Sequence, residues 1–417
     1  EQMGPRDEDS TDLLGTVDKP KPPEPHSRNR QSSSEEKSAE NRDKEIDTHV
    51  PDNAATGTNG STDRKLAPWL QRVPNTAFGI ALGLGGHSIL WKTVGVAFLN
   101  SLFFWAEILV LVAVTIIYLV KAWNHPTLIH TEWAHPVRTH FFNCPHIAIL
   151  MLAIGSPPSY ASMALLRTLW TFCAAVQTFL TRVIYTRWMF GKRSNIGEAR
   201  APFLLSTVGW LLLALLGQQT DLHAASGLNL PAFCFGAGTF LYCLVVVSMF
   251  LAMHTALTEK GSPSMFLLIA PASLIAIGLA GFDDEHKFGD AACAVMGWCI
   301  VLLLLLFALS PRLLGRPIVL GVYWAYVFPL AALATCSVLY AASEGTLAAA
   351  ILSWCLVGLA VLSLIVVFGR MSLHQYGVMR GSEVWDDPIV AEWQLRIDER
   401  ERNGEVGVCH YVADVNH

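Results

Sequence analysis

The side chains that could do chemistry in this sequence are few, and their spacing does not assemble a catalytic set. Glu107 stands alone inside a long apolar run. A lone charged group at the centre of a membrane helix costs about 2.5–3.5 kcal/mol on insertion scales. Glu107 therefore calls for a partner or a proton, and structural pairing is preferred over a transport role. His125, His130, His135, His140 and His146 recur about every five residues. Helical zinc ligands need i, i+3 or i, i+4 placement, so these read as interfacial or cavity-lining histidines. The acidic string Phe282-Asp283-Asp284-Glu285 lacks the spacing of a calcium loop. Gly83-Leu84-Gly85-Gly86 lacks the strand and spacing of a nucleotide fingerprint, whereas Gly79 and Gly83 suit close helix packing. The nine cysteines lie mostly within apolar runs and form no CxxC, so they read as small hydrophobes. The expectation is a protein that is not an enzyme, with no metal, no cofactor and no nucleic-acid partner.

The elements that hold these residues are read from composition. The chain has 417 residues, 52% hydrophobic and 15% charged, with mean hydropathy +0.39; an average soluble domain carries about 25% charged residues. Only 24 charged residues fall among the 300 from 73 to 372, too few to make a water-facing surface. Residues 1–72 are rich in Pro, Ser, Asp, Glu and Lys and predict a disordered tail. No basic segment followed by an apolar run marks a signal peptide there. Residues 373–417 form a second charged tail, in which Val390, Trp393 and Ile397 fall on one face of a short amphipathic helix; an unstructured tail is the other reading.

A crossing helix needs about 20 apolar residues, and ten candidates are found at 76–92, 98–120, 138–156, 164–188, 202–218, 231–254, 263–282, 291–310, 317–341 and 347–370. With both tails cytoplasmic, Lys121, Arg138, Arg182, Arg187, Lys192 and Arg193 face inward together with the later Arg200, Lys260, Arg312, Arg316 and Arg370. Only Lys92, Arg167 and Lys287 fall outside. That asymmetry satisfies the positive-inside rule.

Helix breakers concentrate in alternate spans. Pro145, Pro271 and Pro329 fall within spans 3, 7 and 9, and span 1 carries Gly79, Gly83, Gly85 and Gly86. Proline frees backbone groups that hydrocarbon cannot satisfy, so such helices belong beside other helices or a wet cavity. The fold expected is an all-α polytopic membrane protein of five helical hairpins, each giving one bent inner and one straight outer helix around a central pore. Basic residues crowding the inner face would concentrate anions, although the orientation rule alone also accounts for them.

Six strings in order carry a family resemblance: Phe78-Gly79-Ile80-Ala81-Leu82-Gly83-Leu84; His135-Pro136-Val137-Arg138 with Phe141-Phe142; Ile184-Tyr185-Thr186-Arg187-Trp188; Gly191-Lys192-Arg193; Ala270-Pro271-Ala272; and Trp324-Ala325-Tyr326-Val327-Phe328-Pro329. Together they resemble the slow-type anion channels of plants, within the wider tellurite-resistance/dicarboxylate transporter family. The resemblance implies a homotrimer with one pore per subunit, conducting chloride or nitrate, and a phenylalanine, here Phe328, that occludes the pore. It also implies a second pore aromatic from span 5, where this sequence has Leu211 beside Trp210. It places Arg138, Lys192 and Arg193 at the cytoplasmic entrance. Kinase regulation of the tails would fall on Ser32, Ser33 or Ser34, which follow Arg30; a passive tail is the other reading. The resemblance fits a channel in the plasma membrane, in contact with lipid. The alternatives are a coupled transporter of malate or another dicarboxylate or of sulfite, and a receptor or scaffold without transport.

Overall fold

The computed structural model describes residue 70 and residues 73–191, 199–222, 226–251, 263–283, 288–308 and 323–379. All lie within one compact unit, Arg64–His417; the other, Glu1–Asp63, contains none of them. Ser32, Ser33, Ser34, Lys192, Arg193 and the Val390 stripe fall outside the described residues.

Every described element is helical. In chain order they are α1 (Gly79–Val94), α2 (Ala97–Asn124), the short α3 (Pro126–Ala134), α4 (Cys144–Gly155), α5 (Met163–Phe190), α6 (Leu204–Gln219), α7 (Leu230–Leu251), α8 (Ile269–Phe282), α9 (Asp290–Ala308), α10 (Trp324–Glu344) and α11 (Leu347–Met379). The described residues of all ten predicted segments are thus mainly helical. Eight helical stretches are long and apolar enough to cross a membrane, and nine if the pair Pro126–Ala134 and Arg138–Gly155, bent by 108°, counts as one. At sixteen residues α1 is shorter than that. The last helix continues to Met379, beyond the predicted end of its span at 370.

The alternation of inner and outer helices is plain in burial. Of the apolar stretch within Ala201–Gln219, 89% is buried in the protein, against 17% of that within Ala97–Asn124. The inner helices α1, α4, α6, α8 and α10 pack in that order and close into a ring, α10 returning to α1. Each also packs against the outer helix that follows it. Two hairpins turn through only two residues. Gly95 (φ 87°) ends α1 and Gly345 (φ 64°) ends α10, each in the left-handed conformation that glycine adopts without a Cβ penalty.

Inner helices begin differently from outer ones. Tight 3₁₀ turns at Asn75–Phe78, Arg138–Asn143, Ala201–Phe203 and Pro263–Leu268 lead into α1, α4, α6 and α8. These turns correct the expected positions of two prolines. Pro145 falls in the first turn of α4 and Pro271 is the third residue of α8, positions whose N–H groups have no intrahelical acceptor to lose. Among the described residues, only Pro329 lies inside an α-helix. There it leaves the Ala325 carbonyl without its helical donor.

Lipid is as apolar as leucine, so packing and interhelical hydrogen bonds must hold such a bundle together. Asn100 of α2 donates to Ser88 O at 3.0 Å and to Gly155 O at 2.8 Å, joining α2 to α1 and α4. Gln177 of α5 accepts at Oε1 from His146 Nε2 at 2.6 Å and donates from Nε2 to Ser206 O at 2.7 Å, joining α4, α5 and α6. Trp170 Nε1 donates to Leu213 O at 2.8 Å.

Candidate functional site

The ring of inner helices borders a cavity of about 380 Å³, and all five contribute to its wall. The contributions follow helical phase. Gly86, Ile89 and Thr93 of α1 stand at i, i+3 and i+7, as do Leu212, Leu215 and Gln219 of α6. Met151 of α4, Ile277 of α8 and Phe328 of α10 complete the circuit. That spacing is one stripe of a 3.6-residue helix. Among the described residues, no charged side chain and no histidine lines the space.

Phe328 is only 3% exposed and lies in the early turns of α10. Its Cδ2 is 3.5 Å from where a Cβ on Gly86 would stand. One turn earlier the Trp324 ring occupies the space that a side chain on Gly83 would need. The two glycines thus let α10 approach α1 closely and seat two aromatic rings in the seam. Gly83 itself meets Trp324 and does not line the cavity.

Two predicted site residues are placed elsewhere. Leu211 is fully buried but packs toward Gly238 of α7, whose added Cβ would lie 2.8 Å from its Cγ. Leu212 lines the cavity in its place, because one residue turns a helix by about 100°. Arg138 is 8% exposed, and its Nη1 lies 3.5 Å from Glu132 Oε1. The same carboxylate takes Lys121 Nζ at 2.8 Å and the Tyr118 hydroxyl at 2.5 Å. Lys121 Nζ also donates to Val73 O at 2.6 Å. Arg138 therefore belongs to an internal ion cluster and does not face an open entrance, because a buried carboxylate shared by two cations is satisfied only by keeping both close.

The remaining candidates are accounted for as follows. Glu107 is fully buried against Gly85, and neither carboxyl oxygen finds a hydrogen-bond partner among the described residues, so the expected pairing is not observed. His140 stacks on Phe203 with ring centroids 3.7 Å apart, and His146 bonds Gln177; these two lie between helices and off the cavity wall. The sequence reading missed Met151, Leu212, Leu215 and Gln218. Extending the i, i+3, i+7 pattern along α6 from Leu212 is the signal that finds Leu215, whereas that pattern passes over Gln218.

Among the described residues, buried inner helices backed by apolar, more exposed outer ones, with a cavity among the inner helices that Phe328 helps to line, define a polytopic all-α membrane protein. Residues 72–372 match the family model described as voltage-dependent anion channel, and the chain belongs to that family. It is similar to the S-type anion channel SLAH2 of Arabidopsis thaliana, with 31% identity over 75% of this chain and 61% of the relative. Identity to the S-type anion channel SLAH3 of the same plant is 28%, over 66% of this chain and 44% of the relative. Identity to its guard cell S-type anion channel SLAC1 is 26%, over 66% of this chain and 50% of the relative. The chain thus spans between 44% and 61% of the length of these curated relatives.

Proposed function

We propose that this protein is an anion channel passing chloride or nitrate along the axis of its inner helices, with Phe328 as the occluding side chain. The observation that carries this reading is the cavity walled by all five inner helices, with Phe328 among its lining side chains. A phenyl ring across an apolar constriction excludes hydrated ions by bulk and by dewetting, and rotation about χ1 would open the path. A pore with few polar groups favours easily dehydrated ions, so nitrate should permeate better than chloride.

Family membership further supports a homotrimer with one pore per subunit, set in the plasma membrane with both tails in the cytoplasm. In that arrangement Lys192 and Arg193 attract anions at the inner entrance. Phosphate on Ser32, Ser33 or Ser34 would add about −1.5 to −2 charges each and draw the tail toward those cations. A coupled carrier of malate, another dicarboxylate or sulfite would need titratable groups at a midplane site; none lines the cavity among the described residues.

Two-electrode voltage clamp of wild type and Phe328→Ala tests the reading. The variant should carry at least about tenfold more current, as when about 1.4 kcal/mol leaves the barrier. Its reversal potential should follow the anion gradient. Absence of anion current from both proteins at normal surface density would overturn the proposal.

A further inference from the structure

An anion at rest in a pore needs hydrogen-bond donors, and this cavity holds few. Its polar wall consists of Thr93, Gln218, Gln219 and Thr335. Both threonines commit their hydroxyl protons to their own helices. Thr93 donates to Ile89 O at 3.0 Å and Thr335 to Ala331 O at 2.9 Å, the usual back-bond of a helical threonine. With those protons committed, neither hydroxyl repays an anion for lost water.

Gln218 is held in another way. Its Nε2 donates to Gly278 O of α8 at 3.3 Å. Its Oε1 lies against Gly281, 2.5 Å from where a Cβ would stand. A carbonyl only accepts, so the bond to Gly278 determines which end of the amide is nitrogen. One N–H is engaged and the second remains for a ligand. Gln219 is exposed and makes no side-chain hydrogen bond among the described residues, and it brings two more donors. Both stand at the C-terminal end of α6, whereas Phe328 stands in the early turns of α10.

Lys92, beside Thr93, donates from Nζ to Ile154 O at 2.6 Å and so ties α1 to α4 at the cavity wall. Asp283, Asp290 and Glu344 belong to neighbouring helix ends but do not line the space.

We propose that Gln218 and Gln219 form an anion site at the end of the cavity away from Phe328. It would take a partly dehydrated monovalent inorganic anion such as nitrate and set the preference among anions before they reach the aromatic constriction. The site rests on the pore reading above. A hydrogen bond to a charged partner is worth more than a neutral one, and a planar oxyanion can accept from two amides at once.

The test uses the full chain carrying Phe328→Ala, alone and with Gln218→Leu or Gln219→Leu, with external nitrate titrated against chloride. Each leucine should raise the half-saturating nitrate concentration by about tenfold, the change expected when one hydrogen bond to a charged partner is lost. The nitrate-over-chloride permeability ratio should fall toward unity. Should Gln218→Leu fail to reach the surface, Gln219→Leu decides, because its side chain holds no other helix. Unchanged saturation and ratio in the variants that do reach the surface, with Phe328→Ala current intact, would overturn the site. Loss of current in Phe328→Ala itself would overturn the pore reading and the site with it.

Discussion

Phe328 and Gly86 meet across the seam between α10 and α1, the ring's Cδ2 standing 3.5 Å from where a Cβ on Gly86 would lie. The Ala331 methyl would be nearer still, at 3.1 Å, and one turn away Trp324 fills the place of a side chain at Gly83. The seam is therefore a register of glycines on one helix against aromatic and small residues on the other. Gly83 and Gly86 should tolerate substitution unequally.

Gly83→Val drives a branched side chain into the rigid, fully buried Trp324 indole. Overpacking of this kind costs about 1–3 kcal/mol, and the variant should melt measurably lower in detergent and reach the surface in smaller amounts. Gly86→Ala meets a methyl and a ring edge that need yield only slightly. It should keep wild-type expression while altering the current. Equal melting temperatures for Gly83→Val and wild type would remove the argument.

Cysteine accessibility separates the two adjacent leucines of α6. In a Phe328→Ala background, Leu212→Cys should react with a membrane-impermeant thiol reagent and lose most of its current. Leu211→Cys, directed at Gly238, should be unaffected on the same timescale. Modification of both at equal rates would mean that α6 is rotated from the orientation described.

The ion cluster at Glu132 predicts an order of severity. Glu132→Ala removes the carboxylate shared by Lys121, Arg138 and Tyr118 and should destabilise by about 3–5 kcal/mol, as loss of one partner in a buried pair does. Lys121→Met leaves the carboxylate with Arg138 and Tyr118 and should cost less. Thermal unfolding of purified protein reads the order directly, and Lys121→Met melting below Glu132→Ala would reverse it.

The inner-outer alternation was legible because glycine and proline mark helices that need protein neighbours. The positions of individual prolines were less so. Pro145 and Pro271 read as interior from hydropathy alone, yet a 3₁₀ turn precedes each and moves the start of the α-helix to within three residues of the proline. Hydropathy does not distinguish a 3₁₀ turn from an α-turn, since both keep the apolar run unbroken. Phe328 was identified through its family string, whereas nothing in the local sequence marks Gln218, whose side chain is placed by Gly278 and Gly281, sixty or more residues away.

By itself the sequence determined the membrane class, the all-helical fold and the alternation of inner and outer helices. Apolar run length, charge placement and helix breakers are properties of one dimension, and the bilayer reads them directly. Only the tertiary structure decided that Leu212 rather than Leu211 lines the cavity, that Arg138 is bound to Glu132, and that Gln218 points one amide N–H at α8. Each is a matter of rotation about a helix axis, about 100° per residue. That angle is set by which side chains of neighbouring helices fit together, and the order of residues along one helix does not contain it.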